Sequence, residues 1–182
     1  MTDVTGYEVA IIAGDWFEEA ELLVPRDTLR EHGATVKVYS PDGQPIQATQ
    51  GDVNPTQTVE VDGSFDDLDV SAIHGLVVPG GSVNADHLRI DEKAQRLLTE
   101  VDQAGKPLAI ICHGPWLLIS AGRANGRRVT SWASLADDLR NAGAEWSDQE
   151  VVVDGHLVTS RKPDDLPAFV GAFEEALLGA RV

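Results

Sequence analysis

The residues with the clearest chemical potential are the consecutive Cys112 and His113, which Gly114 and Pro115 follow directly. Cys112 is the single cysteine of the chain, and it ends an apolar run. A thiol beside an imidazole suits nucleophilic catalysis, in which the thiolate attacks and the histidine serves as general acid or base. The alternative is a small buried thiol without reactivity, next to a histidine that hydrogen-bonds to a carbonyl.

The elements around this pair predict that the thiol lies at a sharp turn. The apolar run 107–112 predicts a strand, and "GPWLLISAG" (114–122) predicts a helix with Pro115 in its first turn. A strand–turn–helix step of this kind exposes a nucleophile at the carboxyl edge of a sheet. A helix N-terminus favours a thiolate, so we expect an accessible Cys112 of lowered pKa. Gly80 and Gly81 end another predicted strand, and their backbone N–H groups are candidates for holding an oxyanion.

Short apolar runs alternate with helical patterns along the whole chain. Strands are predicted at 7–13, 35–40, 75–81 and 107–112, and helices at 18–33, 91–105, 114–122 and 164–178. Residues 44–62 are predicted to form an extended segment that interrupts this alternation, and residues 149–160 a hairpin around Asp154 and Gly155. Strands that alternate with helices predict an α/β three-layer sandwich of flavodoxin-like type, with a mostly parallel sheet. We expect a single domain over residues 1–182.

Composition and charge exclude several classes of partner. The net charge of −16 disfavours nucleic acid and anionic membranes as partners. No apolar run is long enough for a membrane span, and the N-terminus has no signal-peptide pattern, so we expect a cytoplasmic protein. One cysteine excludes an internal disulfide, and the five scattered histidines lack the spacing of metal ligands.

A nucleotide cofactor is also disfavoured by the loop after the first predicted strand. This loop carries Asp15, Glu18, Glu19 and Glu21, whose carboxylates would repel a phosphate. The chain has neither a GxGxxG motif nor a P-loop motif. We therefore expect neither a cofactor nor a metal.

Six stretches of the chain resemble the PfpI family, the intracellular-protease-like branch of the DJ-1/PfpI superfamily. In order they are "FEEAELLVP", "LVVPGG", "AIICHGPWLLISAG", "RRVTSW", "NAGAEWSD" and "EVVVDGHLVTSRKPDDL", and the likeness covers about residues 7–178. The "CHGPW" form is similar to members described as general stress proteins. The resemblance implies the class I glutamine amidotransferase-like fold with a nucleophile elbow. The glutaminase activity of that class needs a late His-x-Glu pair, which His156 and Val158 do not supply.

The resemblance also implies roles for individual residues. Cys112 would be the nucleophile, and His113 the catalytic histidine. Glu21 would be a buried, protonated glutamate that hydrogen-bonds to the sulfur. Asp86 would orient His113 from the neighbouring subunit of a homodimer, and such dimers often associate further into hexamers. Trp132 stands where some relatives carry a tyrosine, and we interpret it as a pocket wall.

Three functions remain open at this point. The first is a stress-response, cysteine-dependent enzyme that acts on small carbonyl compounds, as a glyoxalase or deglycase, or on amides, as an intracellular cysteine peptidase. The second is an oxidative-stress sensor or holdase chaperone that uses the same cysteine. The third is a structural module with an unreactive thiol.

Overall fold

The structure, a computed structural model, describes residues 2–180 of the chain. Its strands are β1 (Glu8–Ile12), β2 (Phe17–Glu18), β3 (Thr35–Ser40), β4 (Ile46–Gln50), β5 (Asn54–Val59), β6 (Gly63–Ser64), β7 (Gly75–Val78), β8 (Leu108–Ile111), β9 (Arg128–Val129), β10 (Glu145–Trp146), β11 (Val151–Asp154) and β12 (Leu157–Ser160). Its α-helices are α1 (Glu19–Glu31), α2 (Ser82–Ile90), α3 (Glu92–Gln103), α4 (Pro115–Ser120), α5 (Ala136–Asn141) and α6 (Leu166–Gly179).

The centre of the molecule is a seven-stranded sheet in the order β11-β12-β8-β7-β1-β3-β6. All neighbouring pairs in it are parallel except β11 and β12, which form an antiparallel hairpin at one edge. Successive strand side chains point to opposite faces, so Ile11 packs with α1 and α6 while Ile12 packs with the helices on the other face. The α/β three-layer arrangement with a mostly parallel sheet confirms the predicted fold.

The parallel strands bring distant parts of the sequence to one edge. β7, β8 and β12 are neighbours and end at Val78, Ile111 and Ser160. The segments that follow them therefore begin side by side, as expected for ligand sites at the carboxyl edge of such sheets. Cys112 lies in the middle of this group.

Residues 44–62 form a second, small sheet beside this edge. The hairpin of β4 and β5 pairs through β4 with β2, in the order β2-β4-β5. This arrangement places the hairpin turn, residues 51–53, next to the segments that follow β1 and β7. Separately, no helix within residues 2–180 has the length and apolar character needed to cross a membrane.

Two helices, α2 and α5, occupy residues to which the sequence analysis assigned no element. The N-cap of α2 is Gly81, which offers no capping side chain. Asp52 instead accepts a hydrogen bond of 2.7 Å from the backbone N–H of Ser82, thirty residues away. A helix capped from another part of the chain lacks the local start signal that sequence patterns use. The β11–β12 turn also differs slightly, since Asp154 pairs with Leu157 and the turn residues are Gly155 and His156.

Candidate active site

The backbone of Cys112 has a left-handed conformation, with φ at +62°. L-residues adopt this region at a cost of about 1–2 kcal/mol, so neighbouring contacts must hold it. The Cys112 N–H donates to the Ser160 carbonyl (3.0 Å), and the Cys112 carbonyl accepts from the Trp132 N–H (2.9 Å). The Gly114 N–H donates to the Ile111 carbonyl (2.9 Å) and closes the turn. These bonds fix a nucleophile elbow between β8 and α4.

The Cys112 side chain is only 5% exposed, which differs from the expected accessible thiol of lowered pKa. Burial raises the pKa of the thiol, and the neighbouring carboxylate of Glu21 raises it further, against a hydrogen bond from the Gly81 N–H that lowers it. The six-residue α4 does not outweigh this desolvation. The expectation of a lowered pKa is therefore wrong for the free protein, and the resting residue is a neutral thiol that needs a base.

His113 is positioned to be that base. Its Nδ1 lies 3.2 Å from the Cys112 sulfur, and the side chain is buried. The imidazole stacks on Trp132, with ring centroids 5.8 Å apart, and meets the edge of Trp116 at 5.4 Å. Burial lowers the pKa of His113, although the charge of Asp52 raises it in part. The imidazole is thus neutral at neutral pH and can accept the thiol proton.

Glu21 enters the site from the first turn of α1 and is fully buried. Its Oε2 accepts a hydrogen bond of 2.7 Å from the Gly80 N–H. Burial raises the pKa of Glu21 to about 8, while the Gly80 bond and an interaction with the Cys112 thiol lower it. Its other oxygen, Oε1, has no hydrogen-bond partner within residues 2–180. The site therefore contains a carboxyl that is mostly protonated at neutral pH, beside the sulfur.

The two glycines after β7 have different roles from those expected. The Gly80 N–H is bound to Glu21, so it is not free for a substrate oxyanion, and the prediction that it serves as an oxyanion donor is corrected. A Cβ atom on Gly80 would lie 2.5 Å from Glu21 Oε2 and 2.7 Å from the Cys112 Cβ, so only glycine fits there. Gly81, with φ at +88°, directs its N–H to the Cys112 sulfur, and its role as an oxyanion donor stays a prediction. The backbone nitrogen of His113 would lie 3.0 Å from a Cβ atom on Gly80.

Trp132 is 41% exposed and borders a cavity of about 260 Å³. The other lining residues are Ala133, Asp148, Arg161 and Lys162. Trp132 also stacks on His113, so it is the residue that the cavity shares with the surroundings of the Cys112–His113 pair. The arrangement agrees with the interpretation of Trp132 as a pocket wall.

Asp86 is exposed in the middle of α2. The His113 contacts within the described chain are to Cys112, Trp116 and Trp132. One chain alone therefore does not bring Asp86 to His113, and the cross-subunit role remains a prediction.

The sequence analysis missed Asp52 as a member of this site. It lies at the tip of the β4–β5 hairpin, and its charge raises the pKa of Glu21, Cys112 and His113. Glu18, considered above only as a charge that repels phosphate, accepts hydrogen bonds from the N–H groups of Gly51 (3.2 Å) and Asp52 (3.3 Å). No local pattern connects a hairpin turn to a cysteine so far along the chain.

Comparison with known proteins places this chain in a family. The sequence pattern of the DJ-1/PfpI family matches residues 7–176. The chain is 39% identical to "Deglycase PfpI" of Pyrococcus furiosus, over 93% of this chain and 99% of that protein. It is also 39% identical to "General stress protein 18" of Bacillus subtilis, over 90% and 94% of the two chains. The crystal structure of Drosophila melanogaster DJ-1beta superposes with a TM-score of 0.84 at 25% identity, covering 96% of this chain and 95% of that one.

Proposed function

Because the chain belongs to the DJ-1/PfpI family, we propose that it is a stress-response enzyme of deglycase type, whose Cys112 attacks small carbonyl compounds. The observation that carries this proposal is the 3.2 Å contact between the Cys112 sulfur and the His113 Nδ1 at the elbow. One relative is named a deglycase, which supports the proposed activity, and the other is named a general stress protein, which supports the proposed role in stress.

The geometry supports a reaction that starts with proton transfer inside the site. His113 takes the thiol proton, and the thiolate adds to the aldehyde carbon of a ketoaldehyde such as methylglyoxal. The resulting alkoxide of the hemithioacetal is held by the Gly81 N–H and protonated by His113. Removal of the proton on the former aldehyde carbon, passage of the hemithioacetal hydroxyl proton to the neighbouring ketone oxygen, and return of a proton to the adjacent carbon convert the adduct through an enediol into a thioester. Water then releases the hydroxyacid and the free thiol. The sequence consumes one ketoaldehyde and one water, and it needs no cofactor or metal.

Protonated Glu21 stabilises the sulfur during these steps. A neutral carboxyl adds no charge repulsion when Cys112 ionises, and its proton can be donated to the thiolate. The Gly80 hydrogen bond keeps the carboxyl in place at 2.7 Å. In its ionised form the same carboxyl raises the pKa of Cys112, so protonation of Glu21 removes that contribution and leaves burial as the main cause.

The space around the pair favours a small carbonyl substrate over a peptide. Trp116 and Trp132 contact two sides of the His113 ring. Two indole rings against the imidazole suit a three-carbon ketoaldehyde or a glycated side chain, whereas an extended peptide needs an open groove. Peptidase activity is therefore a secondary expectation.

The proposal includes a homodimer in which Asp86 of one subunit orients His113 of the other. Asp86 is exposed on α2, together with Val83 and with Ile90, which is 74% exposed. An exposed carboxylate among exposed apolar side chains fits a surface that another copy covers. The chain's own substrate and a second copy are the proposed partners, and the charge of −16 argues against nucleic acid.

A second candidate function is an oxidative-stress sensor or holdase chaperone. The observation that favours it is the protonated Glu21 beside the sulfur, because such a carboxyl can hydrogen-bond to a sulfinate on Cys112. Oxidation by peroxide would add two oxygens to the sulfur, with two equivalents of peroxide reduced to water.

The direct test compares the natural chain with Cys112→Ser during incubation with methylglyoxal. We expect loss of the ketoaldehyde and formation of lactate with the natural chain, and neither above background with the variant. Asp69→Asn, which changes an exposed carboxylate before β7 at the opposite edge of the sheet, is the matched control and should keep full turnover. Equal turnover by Cys112→Ser would refute the enzyme proposal. No turnover by either protein, with a gain of two oxygens on Cys112 after mild peroxide, would favour the sensor.

A further inference from the structure

Strained backbone in this protein is concentrated around one point. Within residues 2–180, the non-glycine residues with left-handed φ are Trp16 (+63°), Asp52 (+66°) and Cys112 (+62°). The carbonyl of Trp16 packs against Gly81, at 2.5 Å from where its Cβ would be, and Asp52 caps the helix that begins after Gly81. Such strain persists where the surrounding structure holds it, and it clusters at functional sites. Cys112 is the elbow residue and Trp16 packs against Gly81, which leaves Asp52 to be explained.

Asp52 is held from both sides by hydrogen bonds. Its N–H and that of Gly51 donate to the nearly buried carboxylate of Glu18 at the end of β2. Its own Oδ1 accepts from the Ser82 N–H at 2.7 Å, in the first turn of α2. The hairpin tip is therefore connected at once to the segment after β1 and to the segment after β7. The segment after β7 lies against Cys112 at Gly80, and the segment after β1 packs on Gly81.

We propose that Asp52 is a positioning residue of the active site: its carboxylate fixes the start of α2, and with it the backbone N–H of Gly81 beside the Cys112 sulfur. The inference rests on the proposed roles of Cys112 and His113. In this proposal, Asp52 is the residue through which the β4–β5 hairpin influences the reaction at Cys112.

The cap explains how Asp52 acts on the oxyanion donor. Gly81 precedes Ser82 directly, so the hydrogen bond from Ser82 restricts the peptide plane next to the Gly81 N–H. The N-cap of α2 has no side chain of its own to do this. Without the Asp52 acceptor, the first turn of α2 would have an unpaired N–H at the site.

The charge of Asp52 explains how it acts on the pair. Burial lowers the pKa of His113, and the charge of the Asp52 carboxylate raises it in part. The same charge raises the pKa of Cys112 and of Glu21. Removal of the charge should thus lower the apparent pKa of every titrating group in the site, which a purely structural role would not do.

The other charged groups near the pair come from several elements. The charges of Glu18 on β2 and of Asp52 both raise the pKa of Glu21 on α1. The Arg89 guanidinium of α2 lies 5.2 Å from the centre of the Trp116 ring, and Arg161 and Lys162 line the cavity that Trp132 borders. The test below changes none of these three cations.

The test uses two substitutions that separate charge from cap. Asp52→Asn removes the charge but retains an oxygen that can accept from Ser82, and asparagine tolerates left-handed φ. Asp52→Gly removes both charge and cap, while glycine suits φ of +66° and so preserves the fold. Asp69→Asn is the control, because Asp69 also caps a backbone N–H, of Ser71 at 2.8 Å, far from Cys112.

The first readout is the rate of Cys112 alkylation by iodoacetamide as a function of pH, which needs no knowledge of the substrate. We expect the inflections of the profile to move to lower pH by about half a unit or more in both Asp52 variants, and not in Asp69→Asn. Profiles of Asp52→Asn and Asp69→Asn that coincide would overturn the role of the charge.

The second readout is methylglyoxal turnover at the pH optimum of each variant. We expect Asp52→Asn to stay within a few-fold of the natural chain and Asp52→Gly to fall at least about tenfold below Asp52→Asn. Equal turnover by the two variants would overturn the role of the cap. If the natural chain does not turn over methylglyoxal but the alkylation profile still shifts, the proposed substrate is wrong and the action of Asp52 on the pair stands.

Discussion

Glu21 Oε2 accepts a 2.7 Å hydrogen bond from the backbone N–H of Gly80, although the two residues are 59 positions apart. The bond joins the first turn of α1 to the segment after β7, and it keeps a carboxyl directly beside Cys112. It also removes the Gly80 N–H from the set of oxyanion donors. One contact therefore determines both where the carboxyl is and which backbone donor remains for the substrate.

The first prediction concerns the pH dependence of stability through Glu21. The pKa of this carboxyl is raised from 4.5 to about 8 in the folded protein, so the folded state binds its proton more tightly than the unfolded chain does. The contribution to stability is complete below pH 4.5 and is lost as the pH rises through about 8. Urea unfolding measured between these limits should show a falling free energy of unfolding.

Glu21→Gln is the matched variant for this prediction, because glutamine is neutral and has nearly the same shape. Its free energy of unfolding should be flatter over the same pH range, and its Oε1 can still accept from the Gly80 N–H. Parallel curves for the variant and the natural chain would show that Glu21 is ionised in the folded protein at neutral pH.

The second prediction concerns His113 as the base for Cys112. His113→Gln should lower the iodoacetamide rate at neutral pH by about a hundredfold or more, because a buried thiol of raised pKa then lacks a proton acceptor. Burial lowers the pKa of His113 below 6.5, so the natural chain should lose reactivity only in acid below that value. The single cysteine makes the labelled site unambiguous by mass spectrometry.

The control for His113 is Trp116→Phe, which keeps an aromatic edge against the imidazole. Its alkylation rate should remain within a few-fold of the natural chain. A His113→Gln protein that reacts as fast as the natural chain at pH 7 would remove His113 from the mechanism.

The third prediction concerns Asp86 and the proposed dimer. Asp86→Asn should leave the melting temperature unchanged, because the side chain is exposed on α2 in the single chain. Its methylglyoxal turnover should fall by about tenfold or more if the carboxylate orients His113 across an interface. Size-exclusion chromatography of both proteins gives the oligomeric state, and a fully active monomer would exclude the cross-subunit role.

The fourth prediction concerns Asp102, at the edge of the sheet opposite Cys112, where a substitution should change stability and leave activity intact. The Asp102 side chain is 1% exposed and accepts from Arg123 (2.5 Å), Arg127 (2.9 Å) and His156 (2.7 Å). Burial raises the pKa of Asp102, but the hydrogen bonds from these partners outweigh it and lower the pKa overall. The contribution of Asp102 is thus present above pH 3.8 and lost in acid.

Asp102→Asn should destabilise the protein by about 3 kcal/mol and leave methylglyoxal turnover intact in the folded fraction. Asp137→Asn is the control, since the Asp137 side chain is 89% exposed and pairs only with Arg140 on the surface. It should change stability by less than about 0.5 kcal/mol. Denaturant unfolding at pH 7 measures both, and equal stabilities would show that the Asp102 cluster contributes little.

The amino-acid sequence by itself determined the α/β class, the place of Cys112 and His113 at a strand end, and the resemblance to the PfpI family. These follow from local periodicity and from residues that are adjacent in the chain, which sequence patterns record directly. The tertiary structure decided the protonation of the site, because the pKa values of Cys112, His113 and Glu21 depend on burial by elements from the whole chain. It also decided that the Gly80 N–H donates to Glu21 and that Asp52 caps α2 beside the site. Each of these is a contact between segments that only packing brings together.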